Sequence, residues 1–380
     1  RDEDARGDRQ LEHTQVDMEM SFVSKDDVFE VVEGMMAHTF KKALDVEIET
    51  PFQRLSYAEA MNRYGSDKPD LRYGMEMQDF AHFAQESEFG VFKGVLEKNG
   101  SVKVLLAKGC GDYSRKQITE LEDAAKTYGA KGLAWMKVVE GEDGVALEGG
   151  ISKFFAERAA DITTNLDAEA GDLLLFVADA WKTACTSLGA VRSRLGKQLG
   201  LTDPKRFTFA WIIDFPLFEW NEEESRWEAS HHMFTMPQER FLIRMEDDPG
   251  AVLGDLYDLT CNGYELASGS IRIHDPEIQQ RIFDIVGFSR EEAERRFGFL
   301  LEAFRYGPPP HGGIAPGLDR LVMIMAGEES IREVIAFPKN TVGISPMDDS
   351  PSPVDETQLK ELGIELTRET RALLKEEAQE

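Results

Sequence analysis

Cysteine is scarce in this sequence, whose 380 residues include three, Cys110, Cys185 and Cys261, with no C-x-x-C pair among them. So sparse and scattered a set argues against a disulfide framework and against a zinc site, because both need clustered thiols. It favours reduced thiols and therefore a cytoplasmic protein. Long apolar runs are also missing, so we expect no segment that spans a bilayer and no membrane partner.

Positively charged residues are fewer than negatively charged ones. Lysine and arginine number 43 against 71 aspartates and glutamates, which gives a formal net charge of −28. This balance argues against binding nucleic acid by bulk charge, although an acidic body can still carry a local basic track. An apolar share of 42% is enough for two or three domains. The chain lacks an initiator methionine and begins inside a charged loop, so we expect a fragment of a longer protein.

The N-terminal segment joins a charged loop to an alternating stretch. Residues 1–10 are rich in arginine and aspartate, and a run of charges is more often a solvated loop than a binding site. Polar and apolar residues then alternate over residues 15–22, which predicts a half-buried strand with one polar face. A polar-faced strand directly after the loop favours a site. Its candidate side chains are Arg1, Glu3, Gln10, Gln15 and Asp17.

A glycine-rich stretch near the C-terminus, residues 312–320, predicts an anion site. Gly312 and Gly313 would let the backbone approach a ligand closely, and Pro316 suits the first turn of a helix. A helix N-terminus combined with Arg320 would attract an anion, whereas the alternative is a plain amphipathic helix with a surface arginine. No G-x-x-x-x-G-K-[ST] loop occurs. The buried stripe of the helix is predicted to be Leu318, Leu321, Val322 and Met325.

The dipeptide Asn262-Gly263 between two apolar runs predicts a tight β-hairpin. In that register Thr260 faces Glu265, and Asp258 lies on the same face because side chains alternate along a strand. Two carboxylates this close repel each other unless a cation lies between them. Mg²⁺ suits such a pair because it combines one or two carboxylates with phosphate oxygens. The alternative is two solvated acids on an exposed hairpin.

Arg272, farther along the second hairpin strand, lies on the opposite face from Glu265 by simple alternation. A bulge at Ser268-Gly269 would return it to the face of the acids, because glycine within a strand often marks a bulge. Otherwise Arg272 is a strand-edge arginine in a surface ion pair. The adjacent His231 and His232 would point apart in a strand and would not chelate one metal well.

The segment from about Gly74 to about Gly200 differs from the rest of the chain in its sequence pattern. Strands are predicted near residues 102–107, 133–139 and 173–178, and helices near residues 114–128 and 181–198. It holds no convincing catalytic cluster. We therefore predict an inserted α+β module over residues 75–199, which divides a catalytic domain into residues 1–74 and 200–380.

Taken together, the charged loop, the polar-faced strand and the Gly-Leu-Asp-Arg sequence resemble motifs 2 and 3 of the class II aminoacyl-tRNA synthetases. The surrounding sequence is similar to the bacterial aspartyl-tRNA synthetases over nearly the whole chain. That resemblance implies an α+β fold in which helices flank an antiparallel sheet, interrupted by an inserted module called the GAD domain. It also implies activation of L-aspartate with ATP and Mg²⁺, transfer to tRNA(Asp), and a homodimer in the full-length protein.

The resemblance assigns roles residue by residue. Arg1 and Arg320 would be catalytic, by neutralising phosphate charge. Arg272 would grip the side-chain carboxylate of aspartate, because its planar fork matches a carboxylate. The alternatives are an enzyme that also charges tRNA(Asn), a relative that activates asparagine or lysine, and a non-catalytic tRNA-binding relative. The implied ATP contacts are Arg1, Glu3, Gln10, Glu265, Gly317, Leu318, Asp319 and Arg320; the aspartate contacts are Arg1, Gln15, Asp17, His231 and Arg272; the metal ligands are Asp258 and Glu265.

Overall fold

The computed structural model describes residues 7–141, 144–352 and 354–371. In chain order, the strands are β1 (Met18–Ser21), β2 (Gln53–Ser56), β3 (Met77–Asp79), β4 (Ser101–Ala107), β5 (Ala134–Gly141), β6 (Gly144–Glu148), β7 (Leu173–Asp179), β8 (Phe209–Ile213), β9 (Phe218–Asn221), β10 (Arg226–Ala229), β11 (Leu256–Cys261), β12 (Tyr264–Ile271) and β13 (His311–Pro316). The α-helices are α1 (Lys25–Leu44), α2 (Tyr57–Tyr64), α3 (Ala81–Glu86), α4 (Gly90–Leu96), α5 (Arg115–Lys126), α6 (Ala159–Leu166), α7 (Trp181–Gln198), α8 (Pro276–Ile285), α9 (Arg290–Phe304), α10 (Leu318–Ala326) and α11 (Glu356–Glu361).

The chain divides into two compact units. One is Gln15–Leu321, and the other combines Arg1–Thr14 with Val322–Glu380. Both sheets that are described below belong to the first unit. Within the described part of the chain, none of the helices has the length and apolar character needed to cross a membrane.

The larger sheet has six strands in the order β1-β13-β12-β11-β8-β2, and it is antiparallel apart from the parallel pair β2 and β8. Helix α1 covers one face. Its Phe29 stacks on Trp211 of β8 at 4.0 Å between ring centroids and meets Tyr257 of β11 edge-on at 5.1 Å. The side chains of Trp211 and Tyr257 therefore point to the helix-covered face, which we call the back face. The expected α+β fold with an antiparallel sheet flanked by helices is confirmed.

The opposite face, here called the front face, carries Asp258 because it alternates with Tyr257 along β11. Near the β2 and β8 edge the front face is apolar. There α2 packs Ala60 and Tyr64 into a buried cluster with Ile212 and Leu256. Helices α1 and α2 both start at a capping box, which Ser24 forms with Asp27 and Ser56 forms with Glu59.

The smaller sheet has five strands in the order β3-β4-β7-β5-β6, all antiparallel to their neighbours. One face packs against α5 and α7 through a cluster that includes Leu105, Leu121 and Leu188. The other face packs against α3, α4 and α6 through a cluster that includes Phe80 and Phe176. The strands and helices predicted here from the sequence are confirmed as β4, β5, β7, α5 and α7. The limits of an inserted domain at residues 75 and 199 stay a prediction.

Two local predictions are wrong. Pro316 is the last residue of β13 and not part of the first helical turn. In α10, Leu318 and Val322 are 38% and 40% exposed, whereas Met323 and Ile324 are buried. Residues 321–325 are all apolar, so their spacing could not decide which face of the helix turns inward.

Candidate active site

The β11–β12 hairpin has the predicted turn and the predicted pairing. Asn262 and Gly263 both have positive φ, at 52° and 90°, as a two-residue hairpin turn requires. Thr260 pairs with Glu265, so Glu265 projects from the same face as Asp258. The prediction that Asp258 and Glu265 share one face is confirmed, and that face is the front face.

The two acids form an electrostatically strained pair. Asp258 is 4% exposed, and its Oδ1 is buried without a hydrogen-bond partner within the described part of the chain. Burial raises the pKa of Glu265, and the negative charge of Asp258 raises it further. An orphaned carboxylate oxygen beside a second carboxylate fits a hard cation such as Mg²⁺, which uses oxygen ligands. Among the described residues, no cluster of three or more histidine, cysteine, aspartate or glutamate side chains could hold a metal ion.

His231 lies beside this pair. Its Nε2 is 3.9 Å from Oδ2 of Asp258, and its ring meets Phe215 edge-on at 5.2 Å. Burial disfavours the charged imidazole, but the Asp258 carboxylate outweighs it and the pKa of His231 is raised. The histidine thus responds to the charge at Asp258, which a bound cation would change.

Arg320 borders the acids from the start of α10. Its Nη1 donates to the main-chain carbonyl of Glu265 and lies 4.0 Å from Oε1 of the same residue. Gln15 forms a β-bridge with Gly317, and its Nε2 donates to Oδ1 of Asp17 at 2.6 Å. The backbones of Gln15 and Gly317, from the two ends of this unit, are thus paired.

The predicted bulge exists at a different place. Leu259 pairs with Ala267 but Thr260 pairs with Glu265, so the extra residue is Leu266 and not Ser268 or Gly269. The prediction took Gly269 as the sign of a bulge, but this position is a glycine because the neighbouring strand comes too close for a side chain. A Cβ there would lie 2.2 Å from the carbonyl oxygen of Gly313 on the neighbouring strand.

The bulge at Leu266 also returns Arg272 to the face of the acids, because it lies between Glu265 and Arg272 along the chain. Ser268 pairs with Asp258, and Ser270 and Arg272 follow at alternate positions. Nη1 of Arg272 donates to Oγ of Ser270 at 2.8 Å. Arg272 therefore lies on the front face with the acids, as the resemblance required.

The guanidinium of Arg272 is already paired with a carboxylate. Its Nε and Nη2 lie 3.1 and 3.2 Å from the two carboxylate oxygens of Glu19. Glu19 was recognised from the sequence only as part of the polar face of the strand. Its place depends on Gly313, where a Cβ would lie 2.2 Å from Oε2 of Glu19. Gly312 and Gly313 thus allow close packing between strands, and their approach to a ligand stays a prediction.

His232 is a second residue whose place the sequence did not reveal. Its Nε2 lies 3.1 Å from Nη1 of Arg272. Burial lowers the pKa of His232, and the positive charge of Arg272 lowers it further, to about 4. The backbone N–H of Phe234 donates to Nδ1 of His232 at 3.3 Å. Because a neutral imidazole has one acceptor nitrogen, Nε2 accepts from Arg272 only in the tautomer whose Nδ1 carries the proton.

The remaining predicted residues divide into three groups. Arg1 and Glu3 lie outside the described residues. Gln10 belongs to the unit that contains Lys339; it is 5% exposed, and its Oε1 accepts a hydrogen bond from the backbone N–H of Lys339 at 3.1 Å. Leu318 and Asp319 form the first turn of α10, next to Arg320.

Comparison with known proteins gives the family. The model for tRNA synthetases class II (D, K and N) matches residues 1–341. The aspartate–tRNA(Asp/Asn) ligase of Treponema denticola is 64% identical over 363 residues, which cover 95% of this chain and 61% of that protein. The aspartate–tRNA ligase of Enterococcus faecalis is 51% identical over 97% of this chain and 62% of its own length.

Among solved structures, the aspartyl tRNA synthetase from Entamoeba histolytica aligns over 91% of this chain and 47% of its own, with 18% identity and a TM-score of 0.40. The chain thus spans less than two thirds of the curated relatives that it matches. The family model, in contrast, covers most of the sequence. The chain belongs to the tRNA synthetases of class II, in the group that the model describes as D, K and N.

Proposed function

We propose that the protein containing this chain is an aspartate–tRNA ligase. The supporting observation is that Asp258, Glu265 and Arg272 project from one face of the larger sheet, with Arg320 of α10 next to Glu265. Asp258 and Glu265 can bind a metal ion and Arg320 can bind a phosphate, and both lie on the same side of the sheet as Arg272, whose guanidinium can bind a carboxylate. The names of the relatives agree with this assignment.

The proposed reaction has two steps. The α-carboxylate of L-aspartate attacks the α-phosphorus of ATP, an oxygen–phosphorus bond forms, and pyrophosphate leaves. The terminal adenosine hydroxyl of the tRNA then attacks the activated carbonyl and releases AMP. No protein nucleophile is needed, because positioning and charge neutralisation lower the barrier.

Each residue has a proposed part in the first step. Arg1 contacts the α-phosphate and the substrate α-carboxylate, and Arg320 contacts the γ-phosphate. Asp258 and Glu265 hold Mg²⁺, which when bound neutralises phosphate charge. Arg272 orients the side-chain carboxylate. The proposed nucleotide contacts further include Glu3, Gln10, Gly317, Leu318 and Asp319, and the proposed contacts of the amino acid include Gln15, Asp17 and His231.

The experiment is ATP–pyrophosphate exchange with the full-length protein, run separately with each of the twenty amino acids. Aspartate should support exchange far better than the others. Asp258→Asn and Glu265→Gln keep the side-chain size and should each reduce exchange by roughly a hundredfold or more, as loss of a preorganised charge does. Exchange that depends on asparagine or lysine would contradict the proposal, and so would full activity in both variants.

A second candidate is an enzyme that also charges tRNA(Asn). The name of the Treponema denticola relative, aspartate–tRNA(Asp/Asn) ligase, favours it. Aminoacylation of purified tRNA(Asp) and tRNA(Asn) in parallel separates the two candidates. Absence of exchange together with tRNA binding would instead support the non-catalytic relative.

We also propose the setting in which the enzyme works. The catalytic domain would comprise residues 1–74 and 200–380, with residues 75–199 as an inserted domain, and the full-length protein would be a cytoplasmic homodimer. The three described cysteines are all buried and free, as expected of a reducing compartment. Sedimentation of the full-length protein measures the dimer.

A further inference from the structure

A row of rings runs from the smaller sheet to the candidate active site. The ring of Trp181, the first residue of α7, meets that of Tyr57, the first residue of α2, at 6.3 Å between centroids. Tyr57 meets Phe215 at 5.1 Å, and Phe215 meets the imidazole of His231 at 5.2 Å. All three separations are typical of aromatic pairs that attract each other. We call these four residues the aromatic row.

Tyr57 belongs to the packing of both sheets. It lies against the buried cluster of the smaller sheet that contains Leu188 and also against the front-face cluster of the larger sheet that contains Ile212. Phe215 is a member of the front-face cluster and is 3% exposed. The core of the smaller sheet is therefore continuous, through Tyr57, with the packing around Phe215.

Hydrogen bonds tie α2 to the smaller sheet at the start of the aromatic row. Nε1 of Trp181 donates to Oδ1 of Asn62 on α2 at 2.9 Å. The same oxygen accepts a hydrogen bond from Nζ of Lys103 on β4, also at 2.9 Å, and Lys103 is buried. Because both donors belong to the smaller sheet or to a helix that packs on it, α2 and Tyr57 are held against that sheet.

The backbone around Phe215 is fixed as well. Asp214 has a positive φ of 58°, and its Oδ1 accepts a hydrogen bond from Nε2 of Gln238 at 2.7 Å. The carbonyl oxygen of Phe215 accepts one from the backbone N–H of Gly254 at 3.0 Å. The ring of Phe215 is therefore a fixed surface, against which the imidazole of His231 packs edge-on.

His231 depends on that surface for its orientation. Its Nε2 is 3.9 Å from Oδ2 of Asp258, which is longer than a hydrogen bond. Since no strong hydrogen bond to Asp258 fixes the imidazole, its packing against Phe215 sets the direction of the ring. The side chain of His231 is 31% exposed, so a ligand at the front face can reach it.

We propose that Phe215 and Tyr57 are positioning residues for the amino-acid substrate, because they hold His231 in the orientation in which it contacts that substrate. The inference rests on the proposed function, in which His231 contacts aspartate. Through Trp181, the smaller sheet contributes to the affinity for the amino acid without contacting it.

The first test removes rings from the aromatic row in the full-length protein. In aspartate-dependent ATP–pyrophosphate exchange, Phe215→Leu should raise the KM for aspartate roughly threefold to tenfold, as loss of one aromatic pair does. The KM for ATP should stay unchanged. Tyr57→Leu should raise the KM for aspartate in the same way, whereas Tyr57→Phe keeps the ring and should behave like the wild-type protein. An unchanged KM for aspartate in both leucine variants overturns the proposal.

Phe209→Leu is the matched control for a general loosening of the fold. Phe209 is a buried residue of β8 whose ring meets those of Phe40 and Phe52. It alternates with Ala210 and so shares the back face with Trp211. Phe209→Leu should lower the urea midpoint but leave the KM for aspartate unchanged. If it raises this KM as much as Phe215→Leu does, the positioning role is wrong.

The second test is a double-mutant cycle with His231. His231→Ala should itself raise the KM for aspartate, and adding Phe215→Leu should raise it little further, because Phe215 acts through the imidazole. If Phe215→Leu has its full effect in the absence of the imidazole, it acts elsewhere and the proposal fails. If Phe215→Leu does not fold, Tyr57→Leu takes its place in the cycle, since Tyr57 is only partly buried.

Trp181 tests the contribution of the smaller sheet. Trp181→Leu should raise the KM for aspartate in the same direction as Tyr57→Leu, and Trp181→Phe, which keeps an aromatic ring, should recover part of the loss. A KM for aspartate that stays at the wild-type value in Trp181→Leu refutes this contribution.

The choice of amino acid separates this inference from the proposed function. If the wild-type protein exchanges with a different amino acid, the proposed function fails, and the cycle of Phe215 with His231 is measured with that amino acid instead. If the wild-type protein exchanges with aspartate and Phe215→Leu has the same KM for aspartate, only this inference fails.

Discussion

Replacing Gly189 with alanine should destabilise the protein, although alanine favours helices. Gly189 lies within α7, and an added Cβ would be 2.4 Å from the carbonyl oxygen of Gly65 and 2.8 Å from its Cα. These are backbone atoms, so the helix has to move away by several tenths of an ångström. Alanine gains up to about 1 kcal/mol of helix propensity, but forced overpacking costs about 1–3 kcal/mol or more.

Gly34 in α1 offers the matched control. It is also a helical glycine, but a Cβ there would have no heavy atom within 4 Å outside its own helix. Gly34→Ala should therefore raise the free energy of unfolding by about 0.5–1 kcal/mol. Gly189→Ala should lower it by up to about 2 kcal/mol or more after the gain in helix propensity is subtracted, so the two substitutions have opposite signs.

The measurement is urea denaturation followed by circular dichroism, with both variants and the wild-type protein at one pH. The midpoint should rise for Gly34→Ala and fall for Gly189→Ala. Equal stabilisation in both variants would refute the close approach of α7 to Gly65.

Three further outcomes are expected. Arg272→Leu should abolish the preference for aspartate over asparagine in exchange, because only the guanidinium can donate two charge-assisted hydrogen bonds to the side-chain carboxylate of aspartate. An unchanged preference would exclude this role. Burial and the charge of Arg272 lower the pKa of His232 to about 4 in the folded protein, whereas in the unfolded chain the pKa is about 6.5. The free energy of unfolding should therefore fall by about 1–3 kcal/mol as the pH is lowered from about 6.5 to about 4. His232→Gln should make the free energy of unfolding depend less on pH over this range. Glu33 is 7% exposed and its Oε1 accepts hydrogen bonds from the backbone N–H of Phe52 and Nε1 of Trp211. Glu33→Leu should cost about 2–4 kcal/mol in urea unfolding and Glu33→Gln much less, and equal losses would show that the hydrogen bonds do not matter.

The sequence by itself determined the features that depend on neighbours along the chain. The Asn262-Gly263 turn set the pairing of Thr260 with Glu265, because few residues other than asparagine and glycine adopt positive φ at both turn positions. The capping boxes at Ser24 and Ser56 likewise act over three residues. Such short-range rules also gave the strands and helices of the smaller sheet.

Tertiary structure decided what depends on partners that are distant along the chain. The pairing of Arg272 with Glu19 of β1 joins residues that are 253 positions apart along the chain. In α10, an unbroken apolar run left the buried face to be chosen by packing. Local sequence fixes dihedral angles and pairing within a hairpin, whereas the composition of a site is fixed by which surfaces can be buried together.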